Sequence, residues 1–212
     1  METQNSLVEF FRREPGIAIV LVLMSVVAIM VIIERIGAFR KFGGTSNSLM
    51  TEVLDLVKAG RDNEALRAVN DQPGPVAAIA RVILSNARRP VKEVERLVQE
   101  TAEEYFLTLE KYLPILDTIT TLSPLWGLFG TIIGMIQVFV RYAAISDDKS
   151  KQALLPSVGT ALYATAGGIV IALVCFIAYN YFASRRLRII AESEQAATKL
   201  INALEARGTF AR

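Results

Sequence analysis

Two stretches of this sequence carry residue types that could pass a proton or a small ion: Ser123-Pro-Leu-Trp-Gly-Leu-Phe-Gly-Thr-Ile-Ile-Gly134 and Gly159-Thr-Ala-Leu-Tyr-Ala-Thr-Ala-Gly-Gly168. A hydroxyl both donates and accepts hydrogen bonds, so it can hand a proton or a water onward without itself becoming charged. On a helix turning about 100° per residue, Thr120, Ser123, Gly127, Thr131 and Gly134 fall within about 80° of one another. Leu125, Phe129, Ile132, Ile136 and Val140 lie on the other side. In the second stretch Ser157, Ala161, Ala164, Thr165, Gly168, Ala172 and Cys175 share one face. The pattern has two readings. Small residues four apart, as at Gly130/Gly134 and Ala164/Gly168, mean close helix packing, and a buried threonine usually bonds its own helix. The same stripe can also line a polar path through a membrane. Spacing leaves both open.

The chemistry of that stripe is bounded by what is missing from it. No Asp, Glu, Lys or Arg occurs between Asp117 and Arg141, or between Lys151 and Arg185. A cation path normally needs a titratable or strongly liganding group at membrane depth. Either the chain conducts nothing or a partner brings that group. There is no histidine, and Cys175 is the one cysteine. Histidine-based catalysis, His/Cys metal sites and an internal disulfide are excluded by inventory, and no cofactor is implied. No lysine lies within a span to serve a Ser-Lys pair. The chain reads as a non-enzyme.

The elements that must position the stripe are membrane helices. The 212 residues are 52% apolar, with a mean hydropathy of +0.39, and the net charge of +2 implies no pull toward nucleic acid. Three segments are long enough to cross a bilayer core of about 30 Å: residues 17–33, 114–140 and 154–182. The first is a retained anchor, since no small-x-small cleavage pattern follows it and Glu34-Arg-Ile-Gly-Ala-Phe-Arg-Lys41 stops it. Residues 34–113 contain twelve Lys/Arg, and Arg185, Arg186 and Arg188 open the tail. By the positive-inside rule the 34–113 region and the tail 183–212 face the cytoplasm. Residues 1–16 and the loop 141–153 then face outside, against the weak vote of Arg12 and Arg13. In the cytoplasmic region Ser46 or Ser48 can cap one helix and Asp62 the next. Gln72-Pro-Gly-Pro75 breaks the chain, a helix follows from Pro75, and a longer one runs from Val91 to Leu113, where Pro114 predicts a kink. Another helix is expected from Arg185 to Ala206, stopped by Gly208. The fold class is an all-α membrane protein: three transmembrane helices with long cytoplasmic helical extensions.

Pro124, Gly127-Leu-Phe-Gly-Thr131 and Gly134, with Ala161-Leu162, Ala164-Thr-Ala166, Gly168 and Tyr179-Asn180, resemble the MotA/TolQ/ExbB proton-channel family. The likeness is more to the TolQ and ExbB branch than to the flagellar stators, and it covers nearly the whole chain. It implies a five-fold ring of subunits in the bacterial inner membrane, around two helices of an ExbD/TolR-type single-span partner. The partner's membrane aspartate accepts and releases the proton, and a TonB- or TolA-like protein takes up the resulting motion. Thr131 and Thr165 match the family's pore threonines. Gly127, Gly130, Gly134, Ala164 and Gly168 are left to helix packing. Asp117 and Asn180 are candidates for a partner or subunit interface, and Trp126 for packing against lipid or a neighbour. One position departs from the pattern. Thr160 stands where TolQ and ExbB proteins typically carry glutamate, about 140° around the helix from Thr165. That substitution keeps a sodium-driven variant and a non-conducting pentameric scaffold in view beside a proton-driven stator. Which process the motor powers, uptake, envelope maintenance or motility, is not written in this chain.

Overall fold

The computed structural model describes residues 15–42, 46–147 and 155–210. Seven helices occur among them: α1 (Pro15–Phe42), α2 (Ser46–Lys58), α3 (Asp62–Asn70), α4 (Pro75–Ser85), α5 (Val91–Glu110), α6 (Leu113–Ala144) and α7 (Leu155–Ala206). Three stretches of helix are long and apolar enough to cross a membrane, lying in α1, in α6 and in α7. The protein is an all-α, multi-pass membrane protein with further helical extensions. It falls into two compact units. One comprises residues 1–33 and 112–180, the other 34–111 and 181–212.

Two features depart from the sequence reading. The kink expected at Pro114 is a break. A helix running through Pro114 would press the proline ring against the carbonyl of Glu110 and leave that carbonyl without its amide donor. α5 instead stops at Glu110, and Tyr112 takes a left-handed conformation with φ 68°. α6 restarts at Leu113, so Pro114 lies in a first turn, where no amide donor is required. The second departure is that, among the described residues, no separate C-terminal helix follows the third span. The sequence from Ile169 to Ala206 contains no glycine or proline, so α7 runs unbroken from the apolar span to Ala206. Its end behaves as expected: Gly208 adopts φ 67° and its amide donates to the Glu205 carbonyl at 2.8 Å.

In the unit of residues 34–111 and 181–212, α2 to α5 pack in chain order around Val53, Val57, Val69, Ile79, Ile83 and Val94. The end of α7 completes this core with Leu200 and Leu204, both fully buried. Arg207 fastens it: one guanidinium nitrogen donates to the Val57 carbonyl and to Asp62 Oδ1, each at 2.6 Å. Asp62 is therefore not the cap of α3, a place held by Arg61 without a side-chain bond. Its carboxylate is committed to Arg207 and raises that guanidinium's pKa further above its ordinary value. The caps expected from Ser46 and Ser48 lie outside the described side chains.

Candidate functional site: the seam between the second and third spans

In the other unit α6 and α7 meet along the predicted stripe. Ser123, Gly127, Gly130, Thr131 and Gly134 are buried on α6, and Ser157, Ala161, Ala164, Gly168, Ala172 and Cys175 on α7. The opposite faces, with Leu125, Phe129, Ile132 and Ile136 on α6 and Leu162, Leu173 and Phe176 on α7, are exposed. The sidedness read from the sequence holds on both helices.

The seam is closed backbone to backbone. A Cβ on Gly127 would stand 2.6 Å from the Ala164 carbonyl oxygen and 2.9 Å from the Thr165 Cα. One on Gly168 would run into the Ser123 carbonyl oxygen. Gly130 and Gly134 face the methyl groups of Ala164 and Ala161, each 2.8 Å from the position a Cβ would take. The first span joins the same packing: Ile17, Ala18 and Leu21 of α1 lie with Ala164, and Trp126 and Ile133 pack on them. Trp126 also meets Phe129 edge-on, ring centroids 5.8 Å apart.

The hydroxyls along the seam divide into two kinds. Thr120 and Thr131 donate back to carbonyls of their own helix, Thr131 to Leu128 at 2.7 Å, as do the exposed Thr118 and Thr121 off the seam. This is the ordinary fate of a hydroxyl inside an apolar helix. Ser123 and Thr165 differ: their hydroxyl oxygens are buried and have no hydrogen-bond partner. Ser123 is wholly inaccessible. An unpaired buried hydroxyl costs about 1–3 kcal/mol of stability.

The other sequence candidates lie apart from this pair. Asp117 is exposed on α6. Asn180 is exposed, its amide donating to the Phe176 carbonyl of its own helix at 2.8 Å. The side chain of Thr160 lies outside the described residues, as do Asp148, Lys149 and Lys151 of the connecting loop. Among the described residues no cluster of three or more acidic, cysteine or histidine side chains could hold a metal ion.

Sequence reasoning missed one functional-looking residue. Arg35, read only as part of the polar stretch that stops the first span, is almost wholly buried in the unit of residues 34–111 and 181–212. It donates to the Thr108 carbonyl at 2.9 Å and the Leu109 carbonyl at 3.3 Å, and pairs with Glu34 at 2.7 Å. Those carbonyls belong to the last turn of α5, whose helical donors are lost at the break. A charge-and-donor deficit at a helix C-terminus is what a guanidinium satisfies. Nothing in the local sequence around Arg35 signals this, because its partner turn is more than seventy residues away.

The family model described as the MotA/TolQ/ExbB proton channel family matches residues 71–195, more than half of the chain. The chain belongs to that family. An ExbB homolog of Methanothermobacter thermautotrophicus is 24% identical over 182 residues, covering 85% of this chain and 64% of that protein. An ExbB-like protein of Synechocystis is 29% identical over 174 residues, covering 77% of this chain and 65% of that protein. The chain thus spans just under two thirds of the length of these two relatives. The Tol-Pal system protein TolQ of Pseudomonas aeruginosa is 40% identical over 77 residues, 36% of this chain and 33% of that protein. The family match takes in the whole seam together with α4 and α5.

Proposed function

We propose that this family member is a TolQ/ExbB-type stator subunit that converts proton flow across a bacterial inner membrane into mechanical work. The observation that carries the reading is the seam: hydroxyls set between two apolar spans with no Asp, Glu, Lys or Arg between Asp117 and Arg141 or between Lys151 and Arg185. Such a path works only when a carboxylate is supplied from outside, as by a single-span ExbD/TolR-like partner bearing one membrane aspartate. The subunits form a ring, a pentamer by resemblance, around the partner's helices. The 34–113 region and the C-terminal tail face the cytoplasm, and a TonB- or TolA-like protein receives the motion. Thr131 and Thr165 belong to the ion pathway, Thr160 occupies the outer position that carries glutamate in TolQ and ExbB proteins, and Asp117 and Asn180 serve interfaces.

The glycine-tight seam would equally suit a scaffold that conducts nothing, and flux separates the two. Liposomes holding this chain with its single-span partner should show proton flux that disappears when the partner's aspartate is changed to asparagine. Thr131→Val and Thr165→Val should each abolish that flux while the assembled complex persists on a native gel. An intact complex silent to both proton and sodium gradients would refute the motor, and flux under a sodium gradient alone would reassign the ion.

A further inference from the structure

In the unit of residues 34–111 and 181–212, α5 and α7 leave a groove between them of about 460 Å³. Its floor is apolar: Val98 and Phe106 of α5 are half-buried there, and Ala197 of α7 is buried. Its rim is acidic on both sides, with Glu95 and Glu103 on α5 and Glu194 on α7, all exposed. No lysine or arginine lines the groove, and among the described residues none of the three carboxylates pairs with a cation. The neighbouring acids Glu93 and Glu100 differ, being paired with Arg89 and Arg96. Apolar surface and unanswered negative charge thus coincide at one place. Their complement is an amphipathic segment with apolar residues at its centre and Lys or Arg along both edges.

We infer that this groove docks the basic segment flanking the single-span partner's membrane helix on its cytoplasmic side, an assignment that rests on the proposed function for the partner and for the side of the membrane. Charge and reach select this occupant. Chains that cross a membrane carry an excess of Lys and Arg on the cytoplasmic flank of the span, which is the complement of the three carboxylates. Ser193, which lines the groove, is separated from Phe182 at the end of the predicted third span by at most about 17 Å of helix. About five extended residues cover that distance, so a short flank is long enough to arrive. Its apolar side chains cover Val98, Phe106 and Ala197, while its cations meet Glu95 and Glu103 on one edge and Glu194 on the other. A second copy seated groove to groove would instead bring two sets of carboxylates together.

Cross-linking in the intact complex tests this. In liposomes holding the full chain and the full-length partner, Cys175→Ala provides a background free of native cysteine. Gln99→Cys and Thr198→Cys, exposed on the two sides of the groove, should each form a disulfide on oxidation with a cysteine placed in the partner's cytoplasmic flank. Glu52→Cys, exposed on α2 and off the groove, should not. Changing Glu95, Glu103 and Glu194 together to lysine should cut the yield at Gln99→Cys by about tenfold, the combined effect of three exposed ion pairs. Reversing the flank's basic residues to glutamate should then restore it, a rescue that damage to the fold would not give. Equal yields at all three positions, or no cross-link at either groove position while aspartate-dependent flux persists, would overturn the docking and leave the proposed function standing. Groove cross-links in a complex without flux would strike the proposed function and keep the docking. Loss of the ring on charge reversal, with no partner cross-link at any position, would overturn the docking and give the groove to a second copy.

Discussion

At Gly127 and Gly168 the space for a methyl group is already taken by backbone of the facing helix, whereas at Gly167, one residue away, nothing lies within 4 Å. Composition treats these glycines alike; the fold does not. Gly127→Ala and Gly168→Ala should each destabilise the protein by about 1–3 kcal/mol, the cost of overpacking a tight contact. Gly167→Ala should be neutral or stabilising by about 0.5–1 kcal/mol, since alanine is the better helix former. Thermal unfolding of the three variants in detergent reads the difference, and a common shift would remove the case for a close seam. Much of this was legible in the sequence, because a helix has a fixed period and the glycines and hydroxyls fall on one face of it. Which hydroxyls are free was not legible. Thr131 and Thr165 look equivalent as letters, yet one bonds Leu128 and the other has no partner. That distinction depends on rotamers set by the opposite helix.

Among the elements, the junction of α5 and α6 shows how a local signal can be read correctly in position and wrongly in kind. Pro114 marked the place, but a proline met by a helix can kink it or end it. Here the ending is favoured because Arg35 is at hand to take the carbonyls that the break leaves without donors. Arg35→Ala should therefore destabilise the protein by about 2–3 kcal/mol, the scale for losing charged hydrogen bonds to buried acceptors. Arg35→Lys should recover only part of this, since an ammonium is a point donor and cannot span two carbonyls as a planar fork does. Thermal midpoints of the two variants test it, and full recovery by lysine would show that charge alone suffices. The continuity of α7 is the converse lesson. The basic cluster Arg185, Arg186 and Arg188 marks an expected membrane boundary, but a boundary in polarity is not a boundary in secondary structure.

For the molecule as a whole, the two segments that build the unit of residues 34–111 and 181–212 are separated in the chain by the second and third spans. The core of the unit formed by residues 34–111 and 181–212 is closed by Leu200 and Leu204. Leu204→Ala should cost about 2–5 kcal/mol, as for other fully buried leucines. Limited proteolysis should show the α2–α5 region newly cleaved in that variant; unchanged resistance would mean that the tail is dispensable to this core. The three spans and the helical extensions were legible from hydropathy and from the proline and glycine breaks around Pro75 and Pro90. That the tail belongs to the earlier helices was not, since such pairing leaves no mark at either end of the chain.

The bond of Arg207 to Val57 and Asp62 has a consequence in time. Its partners are about 150 and 145 positions apart in the chain. During synthesis α2 to α5 emerge long before the arginine that fastens them. At roughly 5–20 residues per second the gap is on the order of 7–30 seconds. For the last 97 residues of that interval, from the end of α5 at Glu110 to Arg207, or about 5–19 seconds, the earlier helices hold an apolar face with no cover of their own while the last two spans enter the bilayer. Completion of this unit therefore reports that the later spans have been made, and a chain arrested before its tail is left open to proteases.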